Sequence, residues 1–362
     1  MQVTIKRNNL LDWLSVVERA IPGKSSFAPV EGVYMSMEGG SLTFCANDLE
    51  MAIRLSTIDV KGDGAGATVL PKRFVQIAKQ LPGDEVKITI KDDRAVIKSG
   101  SSKFKLNCMD AESFPIFDEG YVEKPSFNVE GQALKEMIGK TTFCVAGSPA
   151  NPVFQGVYVS NHSGNIVCMA SDTYRLACYK KMRVDYHESF EAIIPGKLLA
   201  GVGRIIGDND IVKIYVGGGE LVFTVNDYVI STRILDGKYP DLKQAFPKNP
   251  ETKVVIDQQL FASTINRARI LANKQSEMIS LSISDVLTVE SQSEVGKMNE
   301  ELPIQVEGEP LDRLLINAKY LLEGVKAFDE KDLCIEFNGE FGAVVIKEDG
   351  FKYLALPIKK PE

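Results

Sequence analysis

The 362-residue chain predicts an α+β protein built from three tandem, like domains. Three observations carry that expectation: the chain repeats itself, each copy mixes strand and helix patterns in one order, and its composition is that of an ordinary globular protein. The repeat is visible residue by residue. Val3, Ile5, Leu10 and Leu14 match Phe127, Val129, Leu134 and Ile138 at one constant spacing. The same spacing sets Gly32-Val33-Tyr34-Met35-Ser36 on Gly156-Val157-Tyr158-Val159-Ser160, Asp48 on Asp172, and Pro71 on Pro195. A fainter third copy opens at Val254, Ile256, Phe261 and Ile265. A period of about 120 residues far exceeds the roughly 20–50 of solenoid units, so each copy is large enough for its own core. Clusters of Lys, Pro, Asn and Glu near 122–125 and 247–252 place the domains at 1–122, 126–248 and 252–362.

Each copy opens on a short alternating strand, as in Phe127-Asn128-Val129-Glu130, followed by a helix with apolar residues four apart, Leu134 and Ile138. Alternating strands separated by Gly, Asp and Asn turns come next, such as 156–160 and 165–170. A second helix is expected over 71–81 and 195–206, with Pro at its start where the missing N–H costs nothing. Its apolar stripe reads Phe74, Ile77, Ala78 and Leu81 in the first copy, and Leu198, Val202 and Ile205 in the second. More strands close each copy, and Gly217-Gly218-Gly219 reads as a hairpin turn between two of them.

Composition narrows the function. Hydrophobic residues make up 44% and charged residues 25%, and no apolar run reaches the ~20 residues of a membrane helix. Residues 1–7 lack the apolar core of a signal peptide, and the six cysteines are scattered without a C-x-x-C pair. That usage predicts a reducing, cytoplasmic setting with no membrane partner. Enzyme signatures are poor. The two histidines, His162 and His187, sit in polar turn-like contexts, and no phosphate-binding, dinucleotide or nucleophile-elbow motif occurs. No catalytic residue, metal ligand or cofactor is therefore expected.

The net charge of −7 argues against coating of nucleic acid by the whole surface, yet cations recur at equivalent helix positions. Arg73, Lys197 and Lys319 are equivalent across the copies, and Lys326 takes the place of Arg204. Lys72 and Lys79 also lie off the apolar stripe; Lys140 and Arg267 are equivalent on the first helix, with Arg269 and Lys274 following. A lone Lys or Arg on a helix is usually just a solvated face, but threefold recurrence in an acidic protein points to a shared anionic ligand, most simply a phosphate backbone. Base-reading signatures are missing, so the predicted binding is independent of DNA sequence.

At these residues the chain resembles the bacterial sliding clamps, the β subunit of DNA polymerase III. The most specific stretch is Ala170-Ser171-Asp172-Thr173-Tyr174-Arg175-Leu176-Ala177; Tyr239-Pro240-Asp241-Leu242 and Tyr353-Leu354-Ala355-Leu356-Pro357-Ile358 follow in order. The resemblance spans all three copies. It implies a head-to-tail homodimer in which six like domains close a ring around double-stranded DNA, helices lining the channel and sheets outside. It also implies a pocket between the second and third domains that takes short apolar peptides from the replicative polymerase subunit, the clamp loader and other clamp-binding proteins.

Carried over residue by residue, that pocket comprises Phe154, Ser171, Thr173, Tyr174, Arg175 and Leu176 from the second copy, with Pro240 and Ala245 after it. Leu354, Leu356, Pro357 and Ile358 complete it from the chain end, and the resemblance implies that loss of 356–362 abolishes polymerase and loader binding. The dimer contact falls on Phe104 in the first copy and on Ile270 and Leu271 in the third. Lys24, in the turn Gly23-Lys24-Ser25-Ser26, is a further candidate DNA contact.

Overall fold

The computed structural model describes residues 1–116, 119–148, 151–273 and 276–359. The first repeat runs β1 (Gln2–Lys6), α1 (Arg7–Val17), β2 (Gly32–Glu38), β3 (Ser41–Asn47), β4 (Met51–Thr57), β5 (Lys61–Asp63), β6 (Gly66–Pro71), α2 (Arg73–Lys79), β7 (Glu85–Lys91), β8 (Arg94–Ser99) and β9 (Ser102–Asn107). The second runs β10 (Ser126–Glu130), α3 (Gly131–Thr141), β11 (Gly156–His162), β12 (Asn165–Ser171), β13 (Arg175–Tyr179), β14 (Phe190–Pro195), α4 (Gly196–Val202), β15 (Ile211–Gly217), β16 (Glu220–Val225) and β17 (Tyr228–Arg233). The third runs β18 (Thr252–Asp257), α5 (Gln258–Leu271), β19 (Met278–Ile283), β20 (Val286–Gln292), β21 (Lys297–Pro303), β22 (Gln305–Gly308), β23 (Leu311–Asn317), α6 (Ala318–Lys326), β24 (Asp332–Phe337), β25 (Val344–Glu348) and β26 (Phe351–Ala355). The strand and helix order repeats as the sequence predicts.

The compact units are not the repeats. One unit comprises 1–132 and 201–234, the other 133–200 and 235–362, so the central repeat is divided. The cause is sheet continuity. In the first unit an eight-stranded antiparallel sheet, ordered β10-β15-β16-β17-β4-β3-β2-β6, joins β17 of the second repeat to β4 of the first, Tyr228 opposite Leu55. In the second unit a nine-stranded sheet, ordered β14-β11-β12-β13-β26-β25-β24-β18-β22, joins β13 to β26, Tyr179 opposite Phe351. Each unit has one further sheet, β5-β1-β7-β8-β9 in the first and β21-β20-β19-β23 in the second.

Period-two burial sets which strand face meets the helices. Val3, Ile5, Val86 and Ile88 turn inward in the first unit, where α1 packs on α2 and Leu10, Leu14, Phe74 and Ala78 are buried. In the second unit α5 packs on α6. Both helices start on a capping side chain: Asp257 accepts from the Leu260 N–H at 2.8 Å, and Asn317 from the Tyr320 N–H at 3.1 Å. Each fully buried Phe or Leu of these faces is worth about 1.5–3 kcal/mol in burial. Gly218 and Gly219 adopt φ of +66° and +76° and turn the β15–β16 hairpin, as their sequence predicts.

The second helix departs from expectation in the first two repeats. Pro71 and Pro195 end strands β6 and β14 instead of opening helices, and α4 stops at Val202, leaving Arg204 in the following turn. Pro lacks an N–H, so a strand's last residue suits it as well as a helix's first. The buried set also shifts. Val75 is buried where Ile77 is partly exposed, and Leu199 and Ile206 are buried where Ile205 is partly exposed.

Candidate functional site

The candidate site lies wholly within the second unit and begins with one turn. Between β12 and β13 the Ser171 hydroxyl accepts from the Thr173 N–H at 3.1 Å and donates to the Arg175 carbonyl at 2.8 Å. Asp172 Oδ1 accepts from the Tyr174 and Arg175 N–H groups at 3.0 and 3.1 Å, leaving Thr173 at φ +78°. The first repeat builds the same turn: Asp48 Oδ1 accepts from Glu50 and Met51 at 3.1 and 2.7 Å, and Leu49 has φ +76°. Asp48 and Asp172 match in the repeat because a short carboxylate closes this turn.

Around that turn lies a cleft of about 250 Å³, lined by Phe154, Ser171, Thr173, Tyr174, Arg175, Leu176, Leu242, Ala245, Leu354 and Leu356. Nine of the expected residues are brought together there. Pro240, Pro357 and Ile358 are not among the lining residues, and Leu242, unforeseen, is. The chain end explains part of this. Leu356 N–H donates to the Tyr174 carbonyl at 2.8 Å, after which Ile358 N–H donates to the Leu315 carbonyl at 2.7 Å, drawing the end toward β23. Residues 360–362 of the tail fall outside the described residues. Leu242 stands two residues after Pro240 in the Tyr-Pro-Asp-Leu stretch, and its apolar character was the available signal. Buried Tyr239 anchors that stretch, edge-on to Phe154 at 5.6 Å and stacked on Tyr158 at 5.3 Å.

Arg175 differs from a free rim cation. It is only 6% exposed; its Nε donates to Asp172 Oδ2 at 2.9 Å, one terminal nitrogen to the Phe143 carbonyl at 2.5 Å, and the other to Glu323. The guanidinium also lies 4.4 Å from the Tyr320 ring centre. Tyr174, 61% exposed, stacks on the same Tyr320. Burial pushes the nearby Cys144 thiol and Tyr353 phenol well above their ordinary values, so neither supplies a nucleophile at neutral pH. Among the described residues no group of His, Cys, Asp and Glu could hold a metal. The cleft lining is mostly apolar, with Ser171, Thr173 and Arg175 as its polar groups.

The candidate cations fall into two sets. Lys24, Arg73, Lys197, Arg204, Lys319 and Lys326 are exposed. Lys72 is exposed and donates to the Pro22 carbonyl at 3.0 Å; Lys79 pairs with Glu18 at 2.8 Å, and Arg267 Nε donates to Glu300 at 2.9 Å. Lys140 is a correction. It is 5% exposed, ion-paired to Glu348 and to Asp329 at 3.1 Å, with the Phe351 ring centre at 4.9 Å, so it is a structural cation and not a surface contact. Its place within an apolar helix face, among Met137, Ile138 and Thr141, is what sequence periodicity could not weigh. Arg269 pairs with Glu277 at 2.7 Å, and Lys274 lies outside the described residues.

Of the expected dimer residues, Phe104 is half-buried on β9, the edge of the five-stranded sheet. Ile270 is 79% exposed near the end of α5, and Leu271 is half-buried.

Three family models match end to end: the N-terminal, central and C-terminal domains of the DNA polymerase III beta subunit, over 1–118, 128–241 and 243–359. The chain belongs to the DNA polymerase III beta subunit family. Within this family it is 32% identical to a beta sliding clamp of Staphylococcus aureus and 31% identical to that of Staphylococcus epidermidis, each comparison covering 99% of both chains. The solved sliding clamp of Bacillus subtilis superposes over 100% of both chains with a TM-score of 0.92 at 26% identity. The family's three-domain fold is thus the fold of this chain. Among the described residues, no helix is long and apolar enough to cross a membrane.

Proposed function

We propose that this protein is a DNA sliding clamp: two copies pair head to tail around duplex DNA and hold the replicative polymerase to it, with no catalysis and no cofactor. The observation that carries the reading is a junction used twice and left open once. The last strand of the second repeat, β17, pairs with the fourth strand of the first, β4; the last strand of the third, β26, pairs with the fourth strand of the second, β13. The last strand of the first repeat, β9, and the fourth strand of the third, β21, are both sheet edges. A second copy of the chain supplies the complement to each, and pairing them covers edges that would otherwise invite aggregation. By the registers of the three closing hairpins, Phe104 takes the place of Ile230 in β17 and Tyr353 in β26.

Within each unit the exposed cations are offered to the phosphate backbone: Arg73, Lys24, Lys72, Lys79 and Arg204 in the first, and Lys197, Lys319, Arg267 and Lys326 in the second. Such contact carries no base information, which suits a protein that must slide. The 250 Å³ cleft is the docking point for short apolar peptides of the polymerase subunit, clamp loader and other clamp-binding proteins. Domains are taken as 1–122, 126–248 and 252–362, and the working compartment as the cytoplasm that holds the replicating chromosome.

Negative-stain electron microscopy of the purified protein tests the reading. Two-dimensional averages are expected to show closed rings of roughly sixfold appearance with a hole wide enough for duplex DNA. Compact particles or open rods would reject the clamp and leave a scaffold of repeated domains.

A further inference from the structure

The Arg175 side chain reaches from the cleft to helix α6, and what it meets there has a second neighbourhood. Glu323, its α6 partner, stands four residues after Lys319 and three before Lys326. Residues three and four apart share a helix face, so Lys319, Glu323 and Lys326 form one stripe. Both lysines are exposed and Glu323 is partly so, whereas Leu321, Leu322, Gly324 and Val325 face the interior. The carboxylate that holds Arg175 therefore lies in the row of side chains offered to phosphate.

Further contacts bind the cleft wall to the same helix. Tyr174 stacks on Tyr320 with ring centres 6.4 Å apart, and the Arg175 guanidinium covers the Tyr320 ring. The Tyr353 hydroxyl donates to the Tyr320 carbonyl at 2.7 Å, tying β26 to α6 one residue before the cleft residue Leu354. Tyr174 and Arg175 thus take their positions from α6 as well as from their own turn.

We propose that Glu323 is a positioning residue for the cleft, acting through Arg175, and that this pair couples a polyanion on the Lys319–Lys326 stripe to an apolar peptide in the cleft. A phosphate beside Lys319 and Lys326 changes the electrostatic balance at Glu323, and Arg175 transmits that change to the turn that forms the cleft wall. Coupling of this kind is reciprocal: a peptide that favours one placement of Arg175 alters duplex binding by the same factor. The inference rests on the peptide-docking reading given above.

The test uses the full-length protein, a fluorescent apolar peptide of clamp-binding type, and a short DNA duplex at low salt. Glu323→Gln keeps the size and helix propensity of the side chain and removes its charge. In the unaltered protein, saturating duplex is expected to shift peptide affinity by about fivefold, the lower end of site-to-site coupling. In Glu323→Gln, affinity without duplex is expected to fall by a similar factor, and the duplex response to vanish. Glu323→Asp, which restores the charge, is expected to recover part of both. Unchanged peptide affinity in Glu323→Gln would overturn the positioning role, and an equal duplex response in both proteins would overturn the coupling. Failure of the unaltered protein to bind the peptide at all would instead remove the docking reading, and this inference with it.

Discussion

At the scale of single residues, charge does two different jobs that sequence pattern alone does not separate. Lys140 and Lys319 are both basic residues of helices, yet one is enclosed by Glu348, Asp329 and aromatic rings and the other is exposed. Replacing Lys140 by Met strands Glu348, whose side chain is 11% exposed, without its cation. The expected cost is on the order of 3 kcal/mol, read as a lowered midpoint in denaturant, with DNA retention unchanged in the remaining folded protein. Reversing Arg73, Lys197 and Lys319 to Glu should do the opposite. Stability should move little, while retention on duplex weakens and its dependence on salt becomes shallower, checked by titration at several salt concentrations. Lys319 also stands in the first turn of α6, where the helix dipole disfavours a cation, so a ligand is a better account of it than helix stability.

At the scale of elements, what repeats in the sequence is what the backbone demands. Asp48 and Asp172 were legible as equivalents because each closes the same turn with the same backbone bonds. Glu323 was not, because its meaning comes from a hydrogen bond to a residue 148 positions away. Leu242 escaped for a related reason, since an apolar residue on an irregular stretch has no period to betray it. Gly324 shows tertiary contact overriding propensity. Ala is ordinarily about 1 kcal/mol better than Gly within a helix. Here a Cβ on Gly324 would sit 2.1 Å from the Tyr353 ring, so Gly324→Ala should destabilise by about 1–3 kcal/mol, measured by thermal melting. Between α5 and β21, the Arg267 hydrogen bond holds the Glu300 carboxyl below its ordinary value. A lowered folded-state pKa means this pair stabilises at neutral pH, and the contribution is lost as acid protonates Glu300. An NMR titration of the Glu300 side chain should show that depressed midpoint, and Arg267→Gln should return it toward the ordinary range.

At the scale of the whole molecule, the threefold design is legible in the sequence, because matching residues recur at domain-sized spacing. The division into two compact units is not, because it depends on pairings between repeats, which leave no local trace in sequence. Those pairings make the proposed subunit contact a continuation of the fold. Phe104→Arg should place a charge at the open β9 edge and yield monomers by sedimentation at concentrations where the unaltered protein is a dimer, while leaving the five-stranded sheet intact.

The two open edges are also unlike in composition. Strand β9 presents Lys103 and Lys105, whereas β21 carries Glu300 and Glu301. Strand β21 also carries Lys297, and its Glu300 is already held by Arg267, so its free acid is the exposed Glu301; two β9 edges brought together would set lysine near lysine, whereas the mixed pairing brings those lysines to a strand of lower charge. The arrangement gives assembly a direction. In the ring proposed above, each break exposes a basic β9 edge beside a β21 edge that is not basic, so reclosure favours the mixed pairing over a dimer that joins two β9 edges.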